Sequence, residues 1–390
     1  SDTKDKAEEE TAAAAAAAAG KISTYEYTVT QAGEEGEEKT ERRFSIQVRK
    51  RLVDARWMQP DLPISIPPKF DFDDTKINCV PINSLVTTSS SCSSNYVVIG
   101  AGKTGMDGIY YLLTKMNIDP NNIVWVMPHD PWITARENIG TCMEFLHDTT
   151  TKHPTLDIQE TFVSWEKEGK VYRLCEPDTL PTKFKDATLS KSELETLKGI
   201  PDSNIVRRKG RVSEIRDDGR LVMDTGTIID LPFSDPSPSK TTYVHCSAGA
   251  FNYTKQIGED TVPVFDDRRV TIQDVYGTPG FCFVGSIIGR LESISSLSDE
   301  ERNQAALAPN PTVDPTPKLG FTSGDVGSLT KDHGYIQRLK NLKQWLTIPD
   351  VRDWLVGHRL FNLGHMKSTD DMDRLVEETW TVLKQKGLVE

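Results

Sequence analysis

Three glycines, Gly100, Gly102 and Gly105, punctuate the stretch NYVVIGAGKTGMDGIYYLLTKM, with Lys103 and Thr104 between the last two. These residue types in this spacing can bind phosphate. Glycine lets backbone approach an anion with no side chain in the way, and the lysine and threonine add donors. A triphosphate loop of the form GxxxxGK[ST] requires a glycine five residues before Gly102. That place is Val97, inside an apolar run. The spacing fits the dinucleotide form GxGxxG instead. There, Gly100 allows a tight turn, Gly102 allows a pyrophosphate to come close, and Gly105 lets the following helix pack against the strand. The unpaired N–H groups of the first helical turn then face the phosphates, aided by the helix dipole. A glycine turn with no ligand is the plainer alternative.

Such a turn works only if a strand feeds it and a helix leaves it. Tyr96–Ile99 is a short apolar run that predicts the strand. Met106, Ile109, Tyr110, Leu113 and Met116 recur at helical spacing and predict one buried face. Asn117, Asp119 and Pro120 should stop that helix, and Ile123–Met127 reads as a second strand. Strand, turn, helix and strand fit within the length of a parallel βαβ unit. An acid closing the second strand would take a ribose 2′-hydroxyl. Here Met127 and His129 follow instead, Asp130 comes late, and Arg136 is the nearest guanidinium in sequence for a 2′-phosphate. The balance leans towards NADP over NAD. His129 and Arg136 read equally well as ordinary loop residues.

The 390 residues suffice for two or three domains and a large core. The net charge is −12, and residues 1–40 carry half of it, so the rest is only mildly acidic and no basic patch argues for nucleic acid. The alanine run Ala12–Ala19 is too short to span a bilayer and follows AEEE rather than a basic segment, so neither a membrane span nor a signal peptide is expected. The six cysteines are scattered with no CxxC, which fits a reducing, cytoplasmic compartment and no zinc site. The seven histidines show no ligand spacing, so no metal is expected.

Residues 1–20 are low in complexity and expected to be disordered. KISTYEYTVT and RRFSIQVRKRLVDARW predict a hairpin or meander. TTYVHCSAGAF and GFCFVGSIIG read as two further buried strands. Tyr335, Ile336, Leu339, Leu342 and Trp345 share one helical face, as do Met372, Leu375, Val376, Thr379, Trp380 and Leu383.

The segment YVVIGAGKTGMDGIYYLL, followed by NIVWVMPHDPW, resembles the nucleotide-binding part of FAD/NAD(P)-dependent oxidoreductases. These two-dinucleotide flavoproteins include flavin monooxygenases and pyridine nucleotide oxidoreductases. The likeness is greatest to a bacterial and fungal branch with VIGAGKTxMD and an RPRD-W turn, and it covers roughly residues 42–390. It implies an α/β fold: a Rossmann-like NAD(P)-binding domain inserted in a partial FAD-type α/β domain, with a helical C-terminal region. The implied boundaries are 21–94 for a β-rich FAD-type piece and linker, 95–240 for the NAD(P) domain, 241–310 for the returning FAD-type piece, and 311–390 for the helices. Segments 21–80 and 241–290 should then pack together in a second sheet-containing unit.

The implied activity is hydride transfer between nicotinamide and FAD, with oxygenation or reduction of a small substrate. The alternative is a protein that binds or senses NAD(P) without turnover. A direct dehydrogenase without flavin would need a proton donor that the sequence does not offer. Three features depart from the family pattern. No second GxGxxG lies upstream, Ser286 follows Gly285 where many members have Gly-Asp, and Met127 and His129 replace the branch's arginines. The chain begins at Ser1 and is expected to be a fragment of something longer, binding FAD weakly or not at all.

Other candidates divide between function and core. Gly249 in Ser247–Ala250 and Gly285 in Val284–Gly289 could let backbone approach a flavin, or could be plain strand-end turns. Cys246 and His245 end an apolar strand; Cys246 is expected as a buried small hydrophobe and His245 in the core or at an interface. Tyr111 and Lys115 match YxxxK only by chance, being inside the dinucleotide helix. His358 and His365 have no partner at ligand spacing. No residue takes a catalytic role on this reading; the cofactor carries the chemistry.

Overall fold

A computed structural model describes residues 23–31, 40–55, 57, 62–87, 94–139, 142–248, 262–276, 281–308, 324–331, 333–358 and 368–390. The expectation for residues 1–20 and the candidates Gly249 and His365 lie outside the described residues.

In chain order, β1 (Ser23–Gln31) and β2 (Thr40–Val48) form the expected antiparallel hairpin, with Tyr27 opposite Phe44. Then come β3 (Leu52–Asp54), β4 (Asn78–Pro81) and β5 (Asn95–Ile99). Helix α1 (Lys103–Thr114) leads to β6 (Ile123–Met127). Next follow β7 (Pro131–Ala135), α2 (Cys142–Lys152), α3 (Ile158–Lys167), β8 (Val171–Tyr172), β9 (Lys183–Leu189), α4 (Lys191–Leu197) and β10 (Ile205–Arg207). An antiparallel meander of β11 (Val212–Ile215), β12 (Leu221–Met223) and β13 (Ile228–Ile229) precedes β14 (Thr241–His245) and β15 (Arg269–Thr271). The remainder is α5 (Phe281–Ser293), α6 (Asp299–Gln304), β16 (Gly324–Asp325), α7 (His333–Thr347), α8 (Pro349–Gly357) and α9 (Thr369–Gln385).

The central element is a five-stranded sheet in the order β10-β6-β5-β14-β4, with every pairing parallel. This is an α/β arrangement of the Rossmann type. β5 shows why the chain folds so: it is buried on both faces. Tyr96 and Val98 pack towards α1 and α4, while Val97 and Ile99 pack towards the β11–β13 meander. On α1 the fully buried residues are Met106, Ile109 and Leu112, each contributing about 1.5–3 kcal/mol. The expected face was turned slightly: Tyr110, Leu113 and Met116 flank the core half-buried, and Leu112 takes the centre.

Three expectations change. First, β14 does not return to a separate sheet with residues 21–80. It lies between β5 and β4 in the main sheet, all five of its residues buried. Strands of 241–290 do meet strands of 21–80, β14 pairing with β4 and β15 in parallel with β3, but in two different sheets. A continuous apolar run marks a central parallel strand, but not which sheet holds it.

Second, the described part of GFCFVGSIIG, from Phe281 on, lies in α5 and is not a strand. Phe283, Val284, Ile287, Ile288 and Leu291 are buried at helical spacing. Short apolar runs fit both templates, and here the helix wins. Gly285 therefore sits mid-helix, half-buried, with open space beside its Cα, and is not part of a strand-end turn.

Third, residues 131–189 build a sheet of their own, although Ile133, Leu174, Ala187 and Leu189 still pack in the core of β5 and α1. β7, β8 and β9 join β16 in their own sheet. α2 and α3 share a core with α5 and the C-terminal helices, where Phe145 meets Trp165 edge-on and stacks on Tyr335. The two C-terminal faces read from the sequence are both buried there, with Trp380 at the margin. Among the described residues, no helix is long and apolar enough to cross a membrane.

Candidate functional site: the glycine turn at the sheet's switch point

From β5 the chain goes to β6 on one side, while β14 flanks β5 on the other. The strand order therefore reverses between β5 and β14, and in open α/β sheets ligands bind in the crevice at the carboxyl ends of such strands. Gly100–Gly102 leaves β5 at this point, beside Cys246–Ser247 leaving β14.

Each glycine has its own reason. Gly100 has φ +140°, and a Cβ on it would come within 2.7 Å of the Cys246 carbonyl oxygen. That strand end is held close, since Cys246 N–H donates to Ile99 O at 2.8 Å. Gly105 lies under the turn, where a Cβ would collide with the Gly100 carbonyl oxygen. Gly102 differs: it has ordinary extended geometry (φ −86°, ψ −179°) and nothing within 4 Å of a Cβ position. It is the N-cap of α1 and supplies no side-chain cap, so the first N–H groups of α1 are left for an external acceptor. The open space and the free donors coincide.

The side chains of the motif do less. Lys103 is ion-paired with Asp107 one turn on, both at the surface. Thr104 is half-buried on the same first turn. His245 and Cys246 are core residues, as expected. Burial pushes the His245 pKa down and the Cys246 thiol up to about 12, so neither is charged near neutral pH.

At the end of β6 the arrangement departs from the sequence reading. His129 is half-buried two residues beyond the strand. Arg136 is turned away, paired with Glu193 at the start of α4 (Nη1–Oε2 2.9 Å). The guanidiniums that do reach this strand end come from β10. Asp130, 1% exposed, holds Arg207 Nη1 and Arg208 Nε, each at 2.6 Å. Arg207 also donates to Leu174 O at 3.0 Å, and Arg208 to Leu180 O at 2.9 Å. Arg207 Nη2 also lies 3.9 Å from Asp202 Oδ1, so the two guanidiniums beside Met127 are matched by two carboxylates, one buried and one exposed. The sequence signal was present as the run IVRRKG, but about eighty residues separate it from β6.

No protein-family model matches the chain. Three curated proteins, each described as uncharacterized, match it with 27% identity over 332 residues. One is from Mycobacterium bovis (strain ATCC BAA-935 / AF2122/97) and two are from Mycobacterium tuberculosis, strains CDC 1551 / Oshkosh and ATCC 25618 / H37Rv. The match covers 81% of this chain and 54% of theirs, so the chain spans about half the length of the curated relatives it matches. Among solved structures, L-lysine 6-monooxygenase from Pseudomonas syringae aligns with 53% of this chain and 47% of its own. Its TM-score of 0.26 and identity of 11% carry no argument.

The remaining candidates lie apart from the crevice. Gly285 is in α5, and His358 caps α8 against Trp354 and Phe283, with ring centroids 4.4 and 5.3 Å away. No group of three or more potential metal ligands occurs among the described residues. A cleft of about 690 Å³ runs along the outer side of β10, between Tyr172, Leu194, Lys198 and Arg207, with Trp125 in its inner wall.

Proposed function

We propose that this chain binds NAD(P)(H) at the glycine turn and belongs to an NAD(P)H-dependent flavoprotein oxidoreductase. One observation carries the reading: Gly102 is open where the amides of α1 are uncapped, at the reversal of strand order. The amides following Gly100 would hold the pyrophosphate. Gly102 would admit it, and Gly100 and Gly105 would keep the turn tight enough to aim those amides. The dinucleotide, when bound, supplies the hydride. The chain's own residues bind and orient; His245 and Cys246 are buried and move no proton. Arg207 and Arg208, both partly exposed at the end of β6, would meet a 2′-phosphate, which supports NADP over NAD. Asp130 is taken up by two arginines and is not free for a ribose hydroxyl.

The same test goes against FAD in this chain. Of the two flavin candidates, Gly285 is helical and Gly249 is outside the described residues, and there is no second GxGxxG. FAD chemistry would therefore need a longer form of the protein, and flavin binding to this chain is proposed to be weak or absent. The experiment is a fluorescence titration of NADPH and NADH with the purified chain, beside an absorbance spectrum for flavin. NADPH binding by colourless protein is expected. If a longer natural form exists, it should copurify with FAD and oxidise NAD(P)H. If it is colourless and does not, the non-catalytic NAD(P)-binding alternative replaces the enzymatic one. Absence of nucleotide binding by either form would overturn the reading.

A further inference from the structure

Trp125 stands at the middle of β6, fully buried between α1 and α4. Its indole Nε1–H donates to the Gly100 carbonyl oxygen at 2.8 Å, inside the protein. The absence of a side chain at Gly105 makes this possible, since a Cβ there would strike that carbonyl and lie 3.6 Å from Nε1. A trans peptide is planar, with its C=O and N–H pointing in opposite directions. If the Gly100 carbonyl points inward to Trp125, the Ala101 N–H points outward, towards the open side of the turn. Ala101 N–H donates to no acceptor among the described residues. Glycine alone would not hold this orientation, because Gly100 has no side chain to restrict rotation of the peptide that follows.

We propose that Trp125 is a positioning residue of the dinucleotide site. Its N–H fixes the Gly100–Ala101 peptide so that the Ala101 amide is aimed at the pyrophosphate before the ligand arrives. The inference rests on the NAD(P) reading above. Preorganisation of this kind raises affinity by removing an ordering cost from binding. It also explains a tryptophan on a parallel strand whose neighbours Val124 and Val126 are aliphatic. An aliphatic residue could fill the space but could not restrain the carbonyl.

Two substitutions separate the donor from the bulk. Trp125→Phe keeps a large buried ring and loses the N–H. Trp125→His keeps a ring nitrogen at the place of the indole Nε1 and loses the six-membered ring. Melting temperature and NADPH dissociation constant are measured for both, and for Val124→Ala on the opposite face of β6. The expected result is a crossing of orders. Trp125→His should be the less stable of the two, yet bind NADPH within about threefold of wild type. Trp125→Phe should be the more stable and bind about tenfold more weakly, the loss of one amide bond. Val124→Ala should lower the melting temperature and leave affinity unchanged.

Affinities that follow stability across all three variants would show a structural role only and overturn the inference. In wild type, titration with inorganic pyrophosphate should shift the Trp125 indole proton resonance; an unmoved resonance in protein that binds NADPH also overturns it, whether or not the variants fold. Wild type that binds neither NADPH nor NADH defeats the NAD(P) reading itself, which keeps the two failures distinct.

Discussion

Gly102→Val tests the glycine turn most directly, because the structure separates its effect on binding from its effect on folding. Valine adds a branched side chain where nothing lies within 4 Å, on a backbone of φ −86° and ψ −179° that suits β-branched residues. Valine is a poorer N-cap than glycine, which costs up to about 1 kcal/mol. A stiffer unfolded chain returns about 0.4–1 kcal/mol. The melting temperature should therefore stay within about 4 °C of wild type. Binding should not survive. The added methyl groups occupy the approach to the first amides of α1, and losing two charge-assisted bonds removes about 3–6 kcal/mol. That is a fall in NADPH affinity of about a hundredfold to ten-thousandfold. The assay is a fluorescence titration on protein shown to be folded by circular dichroism. Unchanged affinity in folded Gly102→Val would mean the glycines form only a turn.

Other outcomes follow from single contacts. Asp130→Ala leaves Arg207 and Arg208 without their shared carboxylate. Because both arginines keep partial access to water, at 24% and 40% exposure, urea unfolding should show a loss of about 2–3 kcal/mol rather than the full cost of a broken buried pair; a loss near zero would refute the cluster's structural role. His147 of α2 contacts Glu378 of α9 at 2.6 Å and Asp148 at 3.5 Å. Burial pulls its pKa down, but the two carboxylates outweigh this and leave it raised above 6.5. The stability it adds is thus fully present below about pH 6.5 and lost as the pH rises through the raised value. The melting-temperature gap between wild type and His147→Gln should shrink as the pH rises, and a gap that widens would contradict the contact. Gly285→Ala should raise stability by about 0.5–1 kcal/mol, as for an open helical position, and a clear loss in thermal melts would restore the turn reading.

The parts of the fold that were legible depend on local periodicity. β5, α1 and β6 were found because apolar runs and a glycine spacing fall within one short segment. The helical faces of α7 and α9 were found because their period is sustained over several turns. What was hidden depends on distance or on ambiguity. Phe281–Ser293 is apolar enough to satisfy both a strand and a helix, and only its packing among α7 and α8 residues decides. β14 looked the same whichever sheet received it. At the site, the glycine roles were readable one by one because each is a local steric demand. Arg207 and Arg208 were not, since they reach the end of β6 through a strand pairing that no local pattern encodes. Trp125 was visible only as one more apolar residue of β6, and its hydrogen bond depends on the path of the Gly100 carbonyl.

The position of β14 has a consequence for how the chain reaches this structure. It lies inside the sheet, between β5 and β4 in the order β10-β6-β5-β14-β4, yet it is the last of the five to be synthesised. Until residue 245 has emerged, the strand that joins β4 to β5 in the finished sheet is missing. β5 and β6 can form early, from neighbours in sequence, but one edge of β5 stays open across the synthesis of the whole β7–β13 region. Pairings so distant in sequence are slow to form, and an exposed apolar edge invites association with other chains. A ribosome-bound fragment ending before residue 241 should therefore hold the β5–α1–β6 unit in a sticky, unfinished state. The arrival of five buried residues, Thr241–His245, closes the sheet and builds the crevice at the glycine turn in a single event.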